Sequence, residues 1–119
     1  MELKFKAQKS HNNETLYFDL KYFLENDNDK MPDGMQYVLK NIRQFTGLTD
    51  KNGKEIYESD VVEIKNNGIL VVCFYKGEFK LQTLIEYHKK RNIYTSISHL
   101  EFSVFLGDIY QNPELLVTI

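Results

Sequence analysis

The residues with the widest chemical reach in this 119-residue chain are three histidines, one cysteine and a scatter of carboxylates, and their spacing decides what they can do. His11, His88 and His99 have no partner four residues away and no second ligand group close in sequence, which argues against a zinc site. The run Asp50-Lys51-Asn52-Gly53 carries the residue types of a calcium loop. With Gly53 as the obligatory sixth position, however, the first ligand would be Leu48 and the twelfth Ser59, so both terminal carboxylates are missing. The segment 25–34, ENDNDKMPDG, gathers Asp27, Asp29 and Asp33 with Asn26 and Asn28, but it lacks a ligand frame and reads as a solvated turn. No metal or other cofactor is expected.

Covalent catalysis finds equally little support. The serines lie outside any nucleophile-elbow pattern, and no glycine-rich phosphate loop occurs. Cys73 sits in the apolar run 69–75, where a free thiol behaves as a small buried hydrophobe. A small hydrolase or nuclease would need the fold to gather His88, His99, Asp60 and Asp108 into one pocket, for instance as a His99–Glu101 or His88–Asp108 acid–base pair. The expectation is a protein that is not an enzyme.

The segment 87–94, Tyr87-His88-Lys89-Lys90-Arg91-Asn92-Ile93-Tyr94, is the most suggestive for binding. On a hairpin tip, Lys89, Lys90 and Arg91 would meet phosphates while Tyr87 or Tyr94 stacked on a base. The same lysines would also serve a plain solvated turn by discouraging edge pairing. With 15 basic and 17 acidic residues the net charge is −2, so the chain as a whole exerts no pull on nucleic acid or on an anionic membrane.

The elements that must position these groups are read from periodicity. Residues 3–7 alternate charged and apolar side chains, and residues 16–24 do so over a longer span; joined through His11, Asn12 and Asn13, they form an expected amino-terminal hairpin. Residues 25–34, with Pro32 and Gly34, form a loop. Segment 35–46 fits a short helix or extended entry followed by a strand. Residues 50–53 make a tight turn around Asn52-Gly53, 61–65 a strand, 66–68 a turn, and 69–75 a strand buried on both faces. A turn at 76–78 leads to 79–87, read as a strand although Leu81, Leu84, Ile85 and His88 also fit a helix. Strands follow at 93–97 and 101–106, with Ser98 and His99 in the turn between them, and Pro113 opens a short helical turn. Strands at this spacing suggest a small, strongly bent sheet or barrel.

Length and composition frame one domain, since a chain of this size hides roughly two-thirds of its unfolded surface. A hydrophobic content of 42% with eight Tyr and eight Phe fills a core without disulfides. The single cysteine, the charged start Met-Glu-Leu-Lys-Phe-Lys and the absence of any apolar run near the ~18 residues of a membrane span lead us to expect a cytosolic protein and no membrane partner. Lysine outnumbers arginine thirteen to two, the bias of AT-rich coding DNA.

Two segments carry a family resemblance. FTGLTDKNGKEIYESDVVEI (45–64) and VFLGDIYQNPELL (104–116) closely resemble the two conserved ends of the YopX family of phage and prophage proteins, where TGL-x-DKNG-KEIYE-x-D opens and an IGNIYENPELL-like segment closes the pattern. Leu3-Lys4-Phe5-Lys6-Ala7 also looks like the family's first strand, with Gln8 where an aromatic often follows, and Ser59 stands where the family tends to carry glycine. The resemblance implies a mainly β domain spanning 1–119, with a hairpin lobe over 1–34 and an SH3-like β-barrel over 35–119, and expression in the cytoplasm of an infected bacterium. It implies no particular activity. The combined expectation is a non-enzymatic phage or prophage accessory protein that binds a host or phage protein, with homo-oligomerisation possible; nucleic-acid binding through 88–91 is the second reading and hydrolysis the third. The motif itself reads as architecture: Gly47 and Asn52-Gly53 bend the chain, Ile56 and Tyr57 anchor it, and Asp60 is placed to accept backbone N–H groups.

Overall fold

The computed structural model of the chain describes residues 3–19 and 39–117. The acidic segment 25–34, the end of the second expected strand (20–24) and the ambiguous 35–38 lie outside the described residues. The chain is mainly β and divides into two compact units, Met1–Phe45 and Thr46–Ile119.

In the first unit β1 (Lys4–Lys9) and β2 (Thr15–Asp19) form the expected antiparallel hairpin, in register from Lys4 opposite Asp19 to Gln8 opposite Thr15. Its turn uses the residues anticipated for it. Asn13 takes a left-handed φ of 61°, and the Asn12 carboxamide accepts from Glu14 N–H at 2.9 Å. Phe5 and Phe18, directly opposed, stack with centroids 5.7 Å apart. The other edge of β1 pairs with the first half of β3 (Leu39–Thr49) through a bulge between Lys6 and Gln8. Alternation alone left the polar face of β1 in solvent, yet Lys6, Gln8 and Arg43 are buried. Arg43 Nη2 donates to Gln8 Oε1 at 2.5 Å and Nε to Asn41 O at 2.7 Å, so the buried Arg43 and Gln8 are hydrogen-bonded to each other inside this unit.

In the second unit the far half of β3 lies beside β4 (Glu55–Tyr57), and the Thr46 hydroxyl donates to Ile56 O at 2.7 Å. Gly47, with φ 88°, supplies the bend expected there. Five antiparallel strands follow in the order β8-β7-β6-β5-β9: β5 (Asp60–Ile64), β6 (Gly68–Tyr75), β7 (Glu78–Thr83), β8 (Thr95–Ser96) and β9 (Ser103–Asp108). One face buries Ile56, Val62, Ile64, Leu70, Val72, Leu81 and Leu100. The opposite face buries Val61, Val71 and Leu84, with Tyr87, Ile109, Leu115 and Leu116 against them.

The sheet is open, so the SH3-like barrel implied by the resemblance does not form as a closed sheet among the described residues. The reason lies at the two edges. β8 is two residues long before a 3-10 helix takes over, and the outer edge of β9 is already occupied by the 50–54 turn, where Lys51 N–H donates to Ser103 O at 3.0 Å.

Three local expectations need correction. The strand expected over 79–87 stops at Thr83 and is followed by a helix, α1 (Leu84–His88), because the Thr83 hydroxyl caps it by accepting from Glu86 N–H at 3.3 Å and Leu84 and Tyr87, three apart, both turn inward. The strand at 93–97 shrinks to β8, since Ser96 caps a 3-10 helix, Ile97–Phe102, that also absorbs Glu101 and Phe102. Of the run 69–75, only Leu70, Val71 and Val72 are buried on successive faces; Phe74 is half exposed. The turn at 66–68, the 76–78 turn and the helical turn from Pro113 fall where expected.

Ser59 holds φ at 72°, with its N–H donating to Val72 O and its carbonyl accepting from Ile109 N–H. A left-handed serine there is strained by its Cβ, which explains why glycine suits the position. Ser59→Gly is therefore expected to stabilise the protein by about 0.5–1 kcal/mol, read as a higher urea midpoint at unchanged slope; a lower midpoint would show that the hydroxyl matters more than the strain.

Candidate functional site

The motif turn comes first because it resembled a metal loop. The Asp50 carboxylate accepts three backbone N–H groups: Asn52 and Lys54 on Oδ1 and Phe105 on Oδ2, each at 2.9 Å. Gly53, at φ 84°, closes the turn with its N–H on Asp50 O at 3.1 Å. Burial alone would raise this carboxyl's pKa, but the bonds from Phe105, Lys54 and Asn52, aided by the Lys54 charge, outweigh it and hold the group below its ordinary value. Both oxygens thus have structural work, which leaves a cation little to bind. Among the described residues, no three His, Cys, Asp or Glu side chains gather as metal ligands would.

The acid–base candidates are likewise occupied. Asp60 Oδ2 accepts from Tyr57 N–H at 2.8 Å, and Asp108 Oδ1 from the N–H groups of Tyr110 and Gln111. These two buried aspartates face each other across β5 and β9. His88 and His99 are bonded elsewhere: His88 Nε2 to Leu116 O at 2.5 Å, and His99 Nδ1 to Ser96 O at 3.2 Å. The Cys73 thiol, pushed up to about 11 by burial and then by the Glu58 charge, is no nucleophile at neutral pH.

The basic segment 87–94 is not a hairpin tip; it is the exit from α1. Its backbone is held tightly. Lys89 N–H donates to Ile85 O, Lys90 N–H to Tyr87 O and Arg91 N–H to Glu86 O, while the buried Gln82 donates its Nε2 to Arg91 O at 2.5 Å. Lys90 takes a left-handed φ of 54°, which ends the helix. Lys89 and Lys90 stand in solvent. Arg91 is drawn toward Glu86, Nη1 to Oε1 at 3.8 Å. Tyr87 rests against the Val61, Val71 and Leu84 cluster, where burial first, then Cys73 and Tyr110, raise its hydroxyl pKa. Tyr94 stacks on Tyr75 at 4.7 Å. Of the four residues expected to contact nucleic acid, Lys89 and Lys90 are exposed, Arg91 is exposed but lies beside Glu86, and Tyr87 is packed against the fold.

A feature that spacing did not reveal lies beside the start of α1. Asn67, Gly68, Ile69, Thr83, Leu84, Ile85 and Glu86 line a cleft of about 370 Å³, and Ile85 at its rim is 51% exposed. The 79–87 run hid it, because as a strand the segment would have sent Ile85 to the opposite face from Leu84 and Glu86.

A mainly β chain with an open, two-faced sheet and a carboxylate-centred motif turn defines a fold class more sharply than a chemistry. The family model described as YopX protein matches residues 2–117, and the chain belongs to the YopX family. A solved structure from Enterococcus faecalis, described as protein EF1440, is similar with a TM-score of 0.59 at 22% identity, over 96% of this chain and 97% of that one; at that identity the likeness concerns the fold. No curated protein matches the chain.

Because the Asp50 carboxyl has a depressed folded-state pKa, its contribution is fully present above the unfolded carboxylate pKa and is lost as pH falls through the lower folded value. Asp50→Ala should cost about 2 kcal/mol at pH 7, and the gap to the parent protein in urea unfolding should narrow at acid pH below about 4. A gap independent of pH would assign the loss to packing instead.

Proposed function

We propose that the chain is a non-enzymatic binding module, encoded by a phage or prophage and working in the cytoplasm of the bacterial host, and that its partner is a host or phage protein, a second copy of the chain included. The observation that carries this reading is the apolar cleft at α1, with Ile69, Leu84 and Ile85 on its walls and Ile85 half exposed. A cleft of this size and lining accepts one large apolar side chain from a partner, the usual anchor of a protein contact. Lys89, one helical turn beyond Ile85, adds a cation on the same side of α1 and favours a partner segment with an acidic residue near its anchor.

Nucleic-acid binding through the exit of α1 remains the second reading, favoured by the exposure of Lys89 and Lys90. Two cations without a free aromatic platform offer weak, salt-sensitive attraction.

The test is affinity capture on the immobilised full chain from an expressing host, with and without nuclease, alongside Ile85→Asp and Lys89→Ala/Lys90→Ala. A protein that survives nuclease and binds at least about tenfold more weakly to Ile85→Asp is the expected result. Recovery that disappears with nuclease and with the lysine substitutions would transfer the function to nucleic acid. Binding indifferent to Ile85→Asp would remove the cleft from the proposal.

A further inference from the structure

A second cleft shares only Gly68 with the first. Lys51, Glu63, Ile64, Lys65, Asn66, Gly68, Phe102 and Val104 enclose about 410 Å³, and its walls come from three segments fixed on one end of the β5–β9 pair. There Glu63 opposes Val104 and Ile64 opposes Ser103. The motif turn is tied to β9 by Lys51 N–H on Ser103 O and by Phe105 N–H on the Asp50 carboxylate. The 65–68 turn is closed by Asn67 N–H on Ile64 O at 2.9 Å.

Three side chains in this cleft have no evident structural task. Phe102 is 60% exposed at the end of its 3-10 helix, although a phenylalanine gains most from burial. Lys51 and Lys65 are exposed, and the ammonium group of neither has a hydrogen-bond or ion-pair partner among the described residues. Glu63, also exposed, lines the same cleft without pairing to either lysine.

We infer that this cleft binds a nucleoside phosphate unit, with the base on the Phe102 ring and the phosphate held by Lys51 and Lys65. An exposed aromatic face next to two unpaired ammonium groups supplies both halves of that recognition, stacking for a base and point charges for a phosphate. Glu63 adds an acceptor for the amino or imino donors on a base edge, as carboxylates do in base recognition; guanine, with adjacent donors, satisfies it best. The volume lies in the range of small-molecule sites. The ligand is either a free nucleotide or one unit of a single strand, and the two share this chemistry.

The experiment is an NMR titration of the isotope-labelled full chain with GMP, with an eight-nucleotide single-stranded DNA containing guanine, and with inorganic phosphate, repeated on Phe102→Ala and on Lys51→Ala/Lys65→Ala. These substitutions change exposed side chains, and the amide spectrum itself reports whether each variant stays folded. Saturable shifts at Lys51, Lys65, Asn66 and Val104 are expected, with affinity about tenfold weaker in Phe102→Ala and a salt dependence that fades in the lysine variant. Equal binding of GMP and the octamer supports a free nucleotide; binding of the octamer alone supports a strand. The inference is overturned if neither ligand gives saturable shifts in this cleft, if inorganic phosphate binds as well as GMP and Phe102→Ala changes nothing, or if the shifts fall at Lys89 and Lys90 instead.

Discussion

The second unit depends on a single carboxylate. Asp50 gathers the N–H groups of Asn52 and Lys54 from its own turn and that of Phe105 from a strand 55 residues away. Two of these bonds shape the turn; the third fastens it to the edge of β9, where Lys51 N–H adds a fourth backbone bond. An unpaired edge of that length would invite association with any other strand. Here the turn blunts it, while the opposite edge, β8, is too short to serve as a template. Both edges are thereby managed without closing the sheet, and the open architecture follows from the same interaction that makes the motif turn rigid.

The rest of the motif repeats the device on a smaller scale. Asp60 receives Tyr57 N–H, Asp108 receives those of Tyr110 and Gln111, and the Thr46 hydroxyl reaches Ile56 O. Each is a short polar side chain, buried or nearly so, that satisfies backbone groups at a turn where no ladder reaches them. Gly107 belongs to the same set: a Cβ there would collide with the Asn112 carboxamide and come within 3.0 Å of Leu115 Cδ1, so the chain must be bare for the carboxyl-terminal turn to settle. A family recognised by such residues is recognised by how its turns are built, which is why membership brings a fold and no reaction.

Much of this architecture was legible in the sequence because its signals are local. Alternation marked β1 and β2, and Asn-Gly, Lys-Gly and Asn-Pro marked the turns between elements. What escaped were places where two local patterns coincide. Leu81, Leu84, Ile85 and His88 suit a helix, Phe79 and Leu81 a strand, and both are right in succession; the deciding residue is Thr83, a β-branched strand former whose hydroxyl doubles as a helix cap. Ser96 plays the same double part before the 3-10 helix. The buried Lys6 and Arg43 were beyond reach for a different reason. Their burial depends on neighbours distant in sequence, such as Gln8 for Arg43, and pattern alone assigns charged positions to solvent.

The same distinction separates residues that hold the fold from those free to act. A segment dense in charge and tyrosine looked like a binding loop, but the spacing of Leu84 and Tyr87 on one helical face laid Tyr87 against the core, and Glu86 drew Arg91 back toward the helix. Within the motif the division runs between adjacent residues: Asp50 is wholly engaged, whereas the Lys51 side chain contributes nothing to the turn it stands on. Anchoring the backbone with one residue leaves its neighbour displayed at a fixed place, at low entropic cost to whatever it contacts. A rigid turn is therefore a good platform for recognition even when every residue that makes it rigid is excluded from that role.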